Sequence, residues 1–135
     1  MKKLLLLAMI AFFAAPAFAQ ETEKAKWAEL DAFHEVMSKT FHPSEEGKLD
    51  PIRSRSSEMV DKAVAWNKSK APAGYNKKAV KGNLKELVAG AKELNKLIQD
   101  KAADDVIKAK LKALHEVFHG IVEKCEAEDA EHEKH

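Results

Sequence analysis

The chain has 135 residues, of which 45% are hydrophobic and 33% charged, and its 23 basic and 22 acidic side chains leave a formal charge of +1. Charges of both signs alternate along it, as on a solvated helical surface, which argues against the basic stripe that nucleic-acid binding needs. Its single cysteine, Cys125, cannot form an internal disulfide, so the fold has to hold without a covalent staple.

The N-terminus, "MKKLLLLAMIAFFAAPAFAQ", places two lysines before an apolar run and ends it on Ala17-Phe18-Ala19. That is the pattern of a secretory signal peptide cleaved after Ala19. The apolar run is short for a membrane span and no second one follows, so no stable span is expected after cleavage. Residues 1–19 are read as the signal peptide, 20–126 as one folded domain and 127–135 as a flexible polar tail. Loss of Lys2 and Lys3 takes the charge to −1, and the expected destination is a bacterial periplasm.

The remaining chain shows helical periodicity throughout. In the first stretch, about Lys24 to Phe41, Trp27, Leu30, His34, Met37 and Phe41 recur at spacings of three and four, which return side chains to one helix face. Pro43 is expected to stop this helix, and Asp50-Pro51 to cap and open the next. The second, Pro51 to Ser69, buries Ile52, Met59, Val60, Ala63 and Trp66. "KAPAGYN" breaks it. The third, Asn76 to Gln99, carries Val80, Leu84, Leu87, Ala91, Leu94 and Ile98, a pattern that passes through Gly82 and Gly90. The fourth, Asp104 to Glu126, has its seam at Ile107, Leu111, Leu114, Phe118, Ile121 and Cys125. Four amphipathic helices with short links predict an all-α, up-down-up-down four-helix bundle.

Two related stretches, "FHEVM" at 33–37 and "LHEVFH" at 114–119, place histidines on the first and last helices. At about 100° per residue His34 falls within its apolar face, His115 near the edge of its own, and Asp31 and His119 at the flanks. If these helices are antiparallel neighbours, His34 sits level with His115 and Asp31 with His119. Both pairs then face the shared seam or both face away from it; the periodicity permits either. Facing together, Asp31, His34, His115 and His119 would make a transition-metal site. Residues three and four apart lie about 5–6 Å from each other, close enough to share an ion. Imidazole with carboxylate suits copper, zinc, nickel or iron without choosing among them. His42, with Glu45 and Glu46, is a candidate second, looser site.

A di-iron centre built on acid-x-x-His pairs fails on periodicity alone, because Glu116 and Glu35 turn away from their apolar faces. No nucleophile with a positioned base and no glycine-rich phosphate loop is present, so enzyme function has little support.

In size, export, helix order and a histidine-bearing last helix, "KAKLKALHEVFHGIVEKC", the chain resembles the periplasmic four-helix cytochromes of the b562 and c-prime type. The resemblance implies a four-helix bundle and non-covalent haem b as an alternative cofactor, with His119 matching the late axial histidine. The first-helix methionine of that group has no counterpart in "KAKWAEL", and the Cys-x-x-Cys-His attachment of covalent haem is absent. Apart from the resemblance, a bis-histidine haem on His34 and His115 would need a slot lined by Trp27, Phe33, Phe118 and Ile121. The third reading is a cofactor-free periplasmic adaptor or chaperone whose histidines are incidental. In that case an exposed Cys125 would offer a link between two copies as a homodimer.

Overall fold

The structure is a computed structural model, and it describes residues 26–124. The expected signal peptide, Cys125 and the expected polar tail with His132 and His135 lie outside the described residues. Four helices follow one another: α1 (Ala28–Glu45), α2 (Asp50–Lys68), α3 (Lys77–Gln99) and α4 (Asp104–Lys124). Each packs on the next along its length, and α1 and α4 meet more sparsely to close the bundle in up-down-up-down order. No helix among the described residues is long and apolar enough to cross a membrane.

The apolar spacing does what the periodicity predicts. Trp27, Phe33, Met37, Ile52, Met59, Trp66, Leu87, Leu94, Ile107, Leu111, Leu114 and Ile121 are all buried in one core. One end of that core is aromatic. Trp66 meets Trp27, Phe33 and Phe118 at ring-centroid distances of 5.6, 5.5 and 5.9 Å, and Phe33 meets Phe118 at 5.7 Å. Such edge-on and tilted pairs contribute roughly 0.5–1.5 kcal/mol each beyond the area they bury. Between α3 and α4 the Leu114 side chain lies so close over Gly90 that a Cβ there would stand 2.8 Å from its methyl.

The first helix does not stop at Pro43. It runs through the proline to Glu45, because a proline near the C-terminus removes only one backbone donor, and the chain turns instead at Gly47. There, at φ +81°, Gly47 donates to the Ser44 carbonyl at 3.0 Å and Lys48 to the Pro43 carbonyl at 2.9 Å. These are the two bonds of a Schellman cap. The α3 terminus is built the same way, with Lys101 at φ 57° in the position a glycine would favour. At the other end of α3, the Asn76 side chain accepts from the Ala79 N–H at 3.1 Å. Asp50 lies inside α2, whose N-cap is Leu49 without a side-chain hydrogen bond.

Charged pairs fasten the flanks. Arg55 donates to both carboxylate oxygens of Glu58 at 2.7 and 3.0 Å and to Glu35 at 3.0 Å, tying α2 to α1. Those carboxylates hold its guanidinium above even the ordinary arginine range. Arg53 joins Asp104, and Lys110 joins Glu93 at 2.7 Å. With their carboxylates open to solvent, these pairs orient the helices more than they stabilise them.

Candidate functional site

The histidines do lie along the α1–α4 side of the bundle, but they do not converge. His34 is exposed and stacks on Phe118, with centroids 5.2 Å apart and planes 19° from parallel. His115 is half-buried and stacks on Phe41 at 3.8 Å and 9°. Phe41 lies seven residues beyond His34, about 10 Å along the helix. The divergence has a simple cause. Side chains lean toward the N-terminus of their own helix, so residues at equal depth on antiparallel helices lean in opposite directions. His34 leans to Phe118, and His115 leans to Phe41.

Asp31 and His119 are exposed, and His119 bonds within its own helix. Its Nδ1 lies 3.1 Å from Glu123 Oε1 and its Nε2 lies 3.0 Å from His115 Nε2. The arrangement is satisfied when His119 donates from Nδ1 to Glu123 and His115 donates from Nε2 to His119. Burial, then the neighbouring His119 and His42, hold the His115 imidazole below its ordinary pKa against the pull of Glu45 and Glu116.

The expected transition-metal site is therefore overturned. Among the described residues no group of three or more His, Cys, Asp or Glu side chains could hold an ion, so nothing in them supports copper, zinc, nickel or iron as a partner. Asp31, His34, His115 and His119 do not form a ligand set. The second candidate fails as well, since His42 faces Glu45 at 3.7 Å while Glu46 turns to Lys48 at 3.3 Å. Haem is corrected on the same geometry. Phe33 and Phe118, meant to line a slot, pack on each other and on Trp66, and the two proposed axial histidines stack on different phenylalanines two turns apart.

The described surface carries a crevice at each end of the bundle. One, of about 250 Å³, opens between α1 and α4 and is lined by Phe41, Ser44, Glu45, Lys108 and Lys112. The other, of about 320 Å³, lies at the opposite end, where α1 begins, α2 ends and α3 starts. Its floor is Trp27, Val80 and Leu84, and Ser69 accepts a 2.8 Å hydrogen bond from the Trp27 indole beside it. Lys70, Lys77 and Lys81 stand on its rim, and no carboxylate lines it.

Alternating charge, read over the whole chain, hid this end. Every charged residue from Lys62 to Lys85 is a lysine. Among the described residues, ion pairs engage Lys39, Lys48, Arg53, Arg55, Lys96, Lys110 and two histidines, and none engages Lys70, Lys77, Lys78, Lys81 or Lys85. Lys77, Lys81 and Lys85 repeat at i, i+4 and i+8 on α3, a like-charge ladder that costs about 0.2–0.5 kcal/mol per step. Lys77 and Lys78 occupy the first turn of α3, which has no acidic residue, and so oppose the helix dipole. The legible signal was this local absence of acid.

Compared with protein-family models, curated proteins and solved structures, the chain matches none of them. The similarity to four-helix cytochromes thus stands at the level of an all-α, four-helix bundle.

Proposed function

We propose that this chain is an exported, cofactor-free helical bundle that works by contact with another protein, as an adaptor or chaperone of the periplasm. The observation that carries the reading is how the histidines and aromatic residues are used. Each candidate ligand ring is stacked on a phenylalanine or bonded within its own helix, and the aromatic core is closed on itself. What the bundle offers to other molecules is its surface, which among the described residues includes a crevice at each end. Export is supported by the Lys2-Lys3, apolar-run and Ala17-Phe18-Ala19 pattern.

The test uses the mature chain recovered from the periplasmic fraction of an expressing bacterium, where N-terminal sequencing should begin at Gln20. Mixed at stoichiometric ratio with a reduced, unfolding client protein, it should lower the light scattering of the aggregating client. Adding haemin should produce neither a shifted Soret band nor a higher melting temperature. A stoichiometric Soret complex, or unaltered client aggregation, would overturn the reading.

A further inference from the structure

We propose that the lysine-rimmed crevice at the α1–α2–α3 end is a docking site for an acidic segment of a partner protein. Carboxylates would pair with Lys70, Lys77 and Lys81, and one apolar side chain would sit over the Trp27–Leu84 floor. The inference rests on the adaptor reading and gives that adaptor a partner chemistry.

Three observations converge on it. The crevice is concave, about 320 Å³, with an apolar floor and no carboxylate in its lining. Its three lysines have no ion-pair partner among the described residues, whereas Arg53, Arg55 and Lys110 on the flanks of the bundle are each paired with a carboxylate. The α3 ladder costs helix stability in the free protein, and an anion bridging its steps turns that repulsion into attraction. From Lys77 to Lys85 the ladder spans about 12 Å, a length a short peptide segment can follow.

A membrane surface fits less well. Binding to a bilayer through a basic patch is strengthened by bulky apolar side chains entering the interface. The one large hydrophobic residue exposed among the described residues, Val106, lies at the start of α4, at the far end of the bundle.

The experiment measures fluorescence anisotropy of a labelled synthetic peptide of Glu and Asp with one central Phe, titrated with the full mature chain. Binding should weaken as salt rises, because exposed charge pairs are screened. Lys77→Glu with Lys81→Glu should weaken it by about tenfold, a change expected from losing two exposed pairs and putting like charges in their place. Reversing Lys92 and Lys108, which carry the same charge elsewhere, should leave it unchanged. The Lys77/Lys81 variant should stay folded, since glutamates in the first turns of α3 suit its dipole.

Equal weakening by both reversals would reduce the effect to net charge and overturn the proposal. So would lysine-dependent binding to phosphatidylglycerol vesicles in place of the peptide. Binding that emerges only after Glu126, Glu128, Asp129, Glu131 and Glu133 are changed to amides would make the chain's own C-terminus the occupant, and it too would overturn an external partner. If the peptide fails to bind while client aggregation is still suppressed, this site is wrong and the adaptor reading stands.

Discussion

The imidazole of His115 lies face to face with the phenyl ring of Phe41, centroids 3.8 Å apart, and its Nε2 is 3.0 Å from that of His119. This packing has a consequence for acid stability. Burial and two neighbouring histidines lower the His115 pKa in the folded chain from an ordinary value of 6.5. Below about pH 6.5 the unfolded chain therefore takes up the proton more readily than the folded one. The contribution is full above the unfolded value and is lost as pH falls toward the folded one. A plot of melting temperature against pH should descend over that window. His115→Phe keeps a ring on Phe41 and removes the titration, so its descent should be shallower. Parallel profiles for the two proteins would show that His115 carries none of the acid response.

His34 and His115 should behave as strangers. They stack on different phenylalanines and share no partner. His34→Ala and His115→Ala should each destabilise modestly, and urea denaturation of the double variant should give their sum within about 0.5 kcal/mol. A coupling well above that would mean the two rings do meet in solution.

Helix identity was legible in the apolar spacing, since residues such as Leu84, Leu87, Ala91 and Leu94 are buried as periodicity expects. The end of α1 is not legible in the sequence, because Pro43 reads as a stop and only the backbone shows that Gly47 takes the turn. The candidate metal site failed at a finer level. Depth along a helix axis follows Cα positions, whereas contacts are made by side-chain tips that lean in opposite directions on antiparallel helices. Periodicity thus puts His34 and His115 on the α1–α4 side of the bundle, and side-chain lean sends them to Phe118 and Phe41 instead of to each other. The lysine end was readable from Lys62 to Lys85, but a charge balance taken over the whole chain averages it away.

The two tryptophans should respond differently to the same substitution. Trp27 donates its indole N–H to Ser69 at 2.8 Å, whereas the Trp66 Nε1 is buried without a hydrogen-bond partner. An unsatisfied buried donor costs about 1–3 kcal/mol, which Trp66→Phe would recover while giving up some packing. Trp66→Phe should therefore destabilise far less than Trp66→Ala, for which a loss of about 3–5 kcal/mol is expected. Trp27→Phe loses a made hydrogen bond and has no such compensation, so it should cost more than Trp66→Phe. Chemical denaturation of the three variants checks the order, and a reversal would mean that the Trp66 N–H is satisfied in solution.

The paired Schellman caps make a cleaner test of backbone energetics, because the two sites share geometry and differ in residue. Gly47 at φ +81° and Lys101 at φ 57° both occupy the left-handed position after a helix. Glycine adopts it freely, while a side chain there crowds the backbone and costs about 1 kcal/mol. Nothing lies within 4 Å of a Cβ built on Gly47, so Gly47→Ala should report the conformational cost without a packing clash. It should lower stability by about 1 kcal/mol, and Lys101→Gly should raise it by a similar amount, less the extra freedom glycine gives the unfolded chain. For a domain of this size that corresponds to shifts of about 4 °C in opposite directions, readable by calorimetry. Were Lys101→Gly to lower the melting temperature, the lysine side chain would be contributing a contact that outweighs the strain of its own backbone.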